Sequence, residues 1–443
     1  LGVETGSIVR TAADVSIGAR VLGRGDVDVL GDTSLLAVGT PTAGDLRVGV
    51  QGIGTLHIAT GADAYSFGGT VGDRPFLDDF GDPIENGTVT ITGAGSLWDV
   101  REILWVGRNG KGAIDVLNGG TLDVGNTLEI GGEDIGNITS TSDGGEGFVL
   151  VTGAGSRLVA TNVLAGIDGM GVLDVADGAS AELGGDLYIG GNDRDAGNTA
   201  HSDGLVTARG GAALDLRDLY VGNAHEGELR ITEASSAESR DAEVGYQVDG
   251  LGKALVLVSG PDTTWMTRYL DVGEIGPGRV EVADGGRVEI VSAPGTPGRT
   301  IVGEFGELLV TGPFSHFQGA TVTVFGDLAV EAGASITSQT ASLTSAGHVS
   351  IVDPTSTWNL PRFNVTGVLD VGGGGRVVIG TLLSVEPGGV VNLNPGGTIY
   401  APAVENLGTI NDNGGTLVLP EPHGGCAVAL GALAWRQRMR RRA

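Results

Sequence analysis

"GTVTITGAGSLWDVREILWVG" (87–107) and "GFVLVTGAGSRLVATNVLAG" (147–166) are two copies of one unit. Each opens with apolar residues at every second position, turns on Gly-Ala-Gly-Ser, and closes on an apolar residue before a final Gly. "ALVLVSGPDTTWMTRYLDVG" (254–273) and "HVSIVDPTSTWNLPRFNVTG" (348–367) keep the plan with other turn residues. A second unit stands between these: "GAIDVLNGGTLDVGNTLEIG" (112–131), "GVLDVADGASAELGGDLYIG" (171–190) and "GRVEVADGGRVEIV" (278–291). Its turn is Asp/Asn-Gly-Gly or Asp-Gly-Ala. The two types alternate, so Gly107 to Gly166 and Gly131 to Gly190 both span 59 residues.

Within a unit, stretches such as "AIDV", "TLDV" and "TLEI" alternate with period two, as strands do when one face is buried. Ile114, Val116, Leu122, Val124, Leu128 and Ile130 are expected inside, and Asp115, Asp123 and Glu129 in water. Strands this short bury too little alone and must stack on copies of themselves. Gly-rich turns supply the sharp corners. The expected fold is all-β: a right-handed parallel β-helix, a solenoid of about fifteen coils. At ~4.8 Å per rung it makes a rod on the order of 70 Å. A propeller blade of ~40–45 residues fits the double unit less well. The repeat domain is assigned to residues 1–419, with a short hydrophobic and basic segment at 420–443.

Composition agrees. Gly accounts for 81 of 443 residues without a three-residue period, which excludes collagen. A hydrophobic content of 40 % is too high for a disordered chain. Five of the 26 basic residues are Arg in the last eight positions, leaving 21 against 54 acidic residues elsewhere. So acidic a body argues against nucleic acid and anionic lipid as partners. The one cysteine, Cys426, lies in the tail, so the body has no disulfide and no thiolate metal site. Leu1 in place of Met fits a removed export signal and a fragment boundary equally.

Three long insertions follow the same point of the repeat: Gly72–Gly87, Gly131–Gly147 and Gly190–Gly204. They are expected on one side of the rod, often the binding side of a solenoid. Their carboxylates are the candidate ligand-facing residues: Asp73, Asp78, Asp79, Asp82 and Glu85 in one, Asp193, Asp195 and Asp203 in another. Solvated acidic loops are the first reading, weak Ca²⁺ binding the second and catalysis the third. No EF-hand spacing is present, and the six His are scattered. No metal ligand set, catalytic residue or cofactor is assigned. Gly-Ala-Gly-Ser lacks the Lys and following helix of a phosphate loop. Trp98, Trp265 and Trp358 hold equivalent positions, read first as core and alternatively as a sugar-stacking platform.

The units resemble a repeat of type V secretion (autotransporter) passengers and PEP-CTERM proteins, with a signature like "VTGAGSxW…LxVG…G.L.V..GG". The resemblance covers most of residues 25–380 and is densest from 87 to 273. Residues 204–245 depart from it by lacking the Trp turn. The tail resembles a PEP-CTERM sorting signal. Pro420, Glu421 and Pro422 precede the apolar run 424–435, and Arg436, Arg438, Arg440, Arg441 and Arg442 follow. The resemblance implies export to the cell envelope, surface or medium, processing by an exosortase-like enzyme, and transient membrane contact through the tail. Twelve apolar residues make ~18 Å of helix, short of the ~30 Å of a hydrocarbon core. A processed signal is therefore expected rather than a permanent anchor.

The expected function is that of an exported bacterial surface or extracellular-matrix protein. Its role is structural or adhesive and non-catalytic, with extracellular polysaccharide or surface components as partners. The alternative is a polysaccharide-binding or polysaccharide-degrading β-helix enzyme of lyase or hydrolase type. The discriminator is whether carboxylates and Arg from three or more coils share one groove. An autotransporter-like passenger is a third reading, although 380–419 is too short for the eight strands of the smallest barrel.

Overall fold

The computed structural model describes residues 1–420 apart from 21–22, 74–75, 78–82, 133–144, 192–202, 224 and 247–252. Of 76–77 and 83–85 only the backbone is described. The chain is a parallel β-helix of three faces. In one coil, Lys111–Leu117 lies in face A, Thr121–Val124 in face B and Thr127–Ile130 in face C. Asp115, for example, pairs in register with Thr90 of one neighbouring coil and Leu150 of the other. Face A runs from Gly2–Val3 to Thr409–Asp412 through seventeen strands in parallel register, two more than the sequence suggests. Sixteen steps of ~4.8 Å make a rod of about 77 Å. Faces B and C merge into one sheet where a strand runs on around the bend, with a register slip at Val124/Thr127.

The expected inner set is inside: Ile114, Val116, Leu122, Val124, Leu128 and Ile130 are fully buried. They join one apolar column that runs from Val3 to Ala401. Glu129 differs from expectation and is 6 % exposed. Its rung neighbours on the outside of face C are Trp105 and Leu164, two bulky side chains that shield it.

The alternation of unit types has a physical cause at the corner between faces A and B. Ser156 sits buried there. Its hydroxyl donates to Thr152 O (2.7 Å) and accepts from the Gly119 N–H of the preceding coil (3.0 Å). Ser96 does the same with Thr92 O and the Gly61 N–H. Ser235, Thr263, Ser315 and Ser356 accept the corresponding N–H in later coils. The second unit type places Gly120, Ala179, Gly286 or Ala334 there. The hydroxyl clamp thus recurs mostly every second coil. Ser235 keeps it in the 204–245 region, which forms two ordinary coils despite lacking the Trp turn.

The three Trp are core residues, each without solvent exposure. Each indole N–H donates inward to a Ser of the preceding coil: Trp98 to Ser66 (3.2 Å), Trp265 to Ser239 (3.2 Å) and Trp358 to Ser338 (3.0 Å). That burial overturns the sugar-platform alternative for these three.

The final Gly of each unit also has a steric reason. Gly131 has φ +75°, and a Cβ there would lie 2.2 Å from Met170 O in a later coil. The corner between faces C and A is therefore closed to any side chain at this position. No helix among the described residues is long and apolar enough to cross a membrane. The last strand among the described residues is Thr416–Val418.

Candidate functional site

All three long insertions leave from one corner. Their described flanks end face C at Val71, Ile130 and Ile189 and begin the next face A strand. A fourth, between Val244 and Ala254, leaves from the same corner and is not apparent from the repeat spacing. Of the candidate carboxylates, Asp78, Asp79, Asp82, Asp193 and Asp195 lie outside the described residues, as does the side chain of Glu85. Asp73 and Asp203 are described, and the structure does not bring them together. Four rungs of face A separate their coils, about 19 Å. Asp73 Oδ1 lies 3.8 Å from Arg108 Nη1 and is largely buried. In the tail, Pro420 is described and exposed, whereas Glu421, Pro422, Arg436, Arg438, Arg440, Arg441 and Arg442 lie outside the described residues.

Asp203 opens onto a groove of about 570 Å³ on the outside of face A. The groove crosses six successive strands, from Met170–Ala176 to Gly306–Thr311. Its apolar wall is Met170, Val172, Leu205, Leu255, Pro277 and Phe305. Phe305 is 58 % exposed. Its charged groups are Asp203, Glu226, Glu228, Lys253, Arg279 and Glu307.

Charges from several coils thus do share one groove, and three of the six are held in ion pairs. Arg279 bridges Glu307 and Glu281, each at 2.8 Å. Arg230 holds Glu228 through two bonds of 2.7 and 3.0 Å. Asp203, Glu226 and Lys253 form no ion pair among the described residues. Asp203 and Glu226 are rung neighbours, both exposed.

Carboxylates alone do not reveal this site in the sequence. A usable signal is loss of alternation: "ALVLV" (254–258) is apolar on the outward positions too.

A second charged cluster lies on face C, where Arg and Asp of adjacent rungs interleave. Arg217 bridges Asp186 (2.8 Å) and Asp218 (3.1 Å); Arg240 bridges Asp218 (2.7 Å) and Asp241 (3.0 Å). Beside it Tyr188 and Tyr220 stack at 4.7 Å and 8°. Burial, with Glu243 beside it, raises the Tyr220 phenol well above its ordinary range. The paired rings lie face to face across adjacent rungs, so each occupies a face the other would otherwise offer. Among the described residues no group of three His, Cys, Asp or Glu is arranged to hold a metal ion.

Fold and site together define a parallel β-helix with an amphipathic groove on one outer face. No protein-family model matches the chain, and no curated protein matches it. Among solved structures it is similar to the TibC-catalyzed hyper-glycosylated TibA55-350 fragment. That likeness has 14 % identity and a TM-score of 0.36, covering 93 % of this chain and 100 % of the other.

Proposed function

We propose that this chain is an exported bacterial surface or extracellular-matrix rod with a structural and adhesive, non-catalytic role. The face A groove, at the corner from which the four insertions described above leave, carries this reading. Its apolar wall is an exposed patch of the kind that marks interaction sites. On this reading the tail is a processed sorting signal of the PEP-CTERM type, recognised by an exosortase-like enzyme. The test is adhesion of the purified chain to cell-envelope and matrix preparations, compared with Leu255→Asp and Phe305→Ser. Both side chains are outward-facing, so folding is expected to persist while adhesion falls. Unchanged adhesion of both variants would sink the groove reading. A mature protein that retains the five terminal Arg would sink the sorting reading.

A polysaccharide-cleaving role is the second reading, and one observation favours it. Asp203 and Glu226 are rung neighbours, and strands ~4.8 Å apart suit the ~5 Å carboxyl separation of retaining glycosidases. Against it, both carboxylates are exposed, whereas a general acid at neutral pH needs a desolvated site. New reducing ends from a polysaccharide panel, abolished by Asp203→Asn, would establish it.

A further inference from the structure

A second groove, of about 820 Å³, lies at the corner between faces B and C and differs in chemistry. It runs over four to five rungs, from Glu289 to Gly380. Among the described residues Glu289 is the only ionisable group that lines it, in a chain of net charge −28. That carboxylate faces Arg287 at 3.4 Å. Of its polar lining, Ser292 accepts from the Gly298 N–H and the buried Ser338 from the Trp358 indole, each at 3.0 Å, whereas Gln318, Thr337, Gln339 and Asn359 are four further polar residues, all exposed. Gln318, Thr337 and Asn359 stand one above another in register. None of the four side chains makes a hydrogen bond among the described residues. Elsewhere, amides one rung apart do bond each other: Asn411 to Asn392 at 2.8 Å and Asn413 to Asn394 at 3.2 Å.

The shape is held open by backbone. Gly319, Ala320 and Gly380 keep the floor free of long side chains. A Cβ on Gly319 would lie 2.8 Å from Val322 Cγ2. At the N-terminal end the chain leaves the coil at Val291–Gly298, where Ala293 and Thr296 pair as a tight antiparallel turn. Val291 and Val378, 41 % and 39 % exposed, mark the two ends of the groove.

Amide and hydroxyl side chains both donate and accept, which matches ligand hydroxyls that also do both. Exposed Val and Pro361 offer apolar surface to the C–H face of a sugar. The lining offers no cation for an anionic ligand. The strand backbones beneath are already paired in the ladder, so no free sheet edge invites a peptide strand. Rungs ~4.8 Å apart repeat on a scale comparable with one pyranose residue. We propose that this groove binds a neutral polysaccharide chain laid along the rod axis. It is a site distinct from the face A groove, and it goes beyond the adhesive reading that the face A groove carries.

The test is affinity electrophoresis of the full chain in gels containing soluble neutral polysaccharides (glucan, galactan, mannan) or an anionic one. Gln318→Ala/Asn359→Ala is compared with Leu255→Asp. The expected result is retardation by at least one neutral polysaccharide, weakened about tenfold or more in the double variant as two hydrogen bonds are lost. Leu255→Asp is expected to leave it unchanged. Both variants alter outward-facing residues, and unchanged thermal unfolding controls for folding. No retardation by any neutral polysaccharide, preference for the anionic one, or full binding by the double variant each overturns the proposal. Loss of retardation in Leu255→Asp alone would move the glycan to the face A groove, overturning this inference while adhesion stands. Capture of a protein, rather than a glycan, through the amide column overturns it too.

Discussion

Gly69 and Trp98 share one space inside the rod. A Cβ on Gly69 would lie 3.2 Å from Cζ2 of the buried Trp98 ring and 2.7 Å from Leu104 Cδ1. The equivalent face C positions in the neighbouring coils carry Leu46 and Leu104. Gly therefore stands at 69 because the indole fills its place, and Ala64 makes room on the other side. Gly69→Leu is expected to cost about 1–3 kcal/mol by overpacking. Trp98→Ala is expected to cost about 3–5 kcal/mol and to leave Ser66 Oγ without its donor. Combined, the two should cost about 1 kcal/mol or more less than their sum, since the leucine enters the vacated volume. Denaturant titration of the four proteins gives the coupling directly. Additive losses would refute the shared-space account.

The corner hydroxyl makes a second prediction. Ser156→Ala removes the acceptor of the Gly119 N–H in the preceding coil. A buried donor left unpaired costs about 1–3 kcal/mol. Hydrogen exchange at Gly119 should accelerate in Ser156→Ala, and in Ser156→Gly, while the Gly61 amide on Ser96 stays protected. Equal acceleration at both amides would indicate general loosening instead of loss of one clamp.

Much of this architecture is legible in the sequence, because a solenoid repeats its reasons. Period-two alternation placed Ile114, Val116 and Leu122 inside, and the recurrent terminal Gly marked the tight corner at Gly131. What was not legible depends on the outer surface. Glu129 looked solvated, because alternation says which side a residue faces and not how tall its rung neighbours Trp105 and Leu164 are. The sequence points to one edge of the face A groove, at Asp203, and not to the rest of either groove, for the same reason. Acidic insertions drew the eye, whereas the grooves are built from outward residues of different coils, such as Leu205, Leu255 and Arg279, or Gln318 and Asn359. Their juxtaposition needs the register, which the sequence supplies only once each coil has been aligned. Gln318 and Asn359 are 41 positions apart and yet two rungs apart.

Asp99 and Asp123 face each other in register on face B. Burial, and then repulsion from Asp123, raise the Asp99 carboxyl above its ordinary value, with Arg101 opposing. The folded chain therefore holds this proton more tightly than the unfolded chain. The resulting stability is fully present below the unfolded value near 3.8 and is lost as pH rises through the raised one. Asp123→Asn removes the like charge. It is expected to stabilise by about 0.5 kcal/mol at pH 7 and to change nothing below the ordinary carboxylate range. Thermal unfolding midpoints at pH 7 and pH 3 provide the check. Equal gains at both pH values would assign the effect to packing and not to charge.

Asp218 is held twice. Its side chain is only 7 % exposed, and its Oδ2 accepts from both Arg217 and Arg240, which are about half exposed. Each Arg also reaches a second carboxylate, Asp186 or Asp241. Removing one Arg therefore leaves Asp218 compensated by the other. Arg217→Met or Arg240→Met alone should leave stability close to that of the parent chain, as for ordinary surface pairs. The double variant strands a buried carboxylate, and a loss of about 3 kcal/mol or more is expected. Adding Asp218→Asn to that double variant should recover most of the loss, because the uncompensated charge is gone. Urea unfolding of the five proteins tests this. A double-variant loss equal to the sum of the singles would mean that the ladder acts as independent surface pairs.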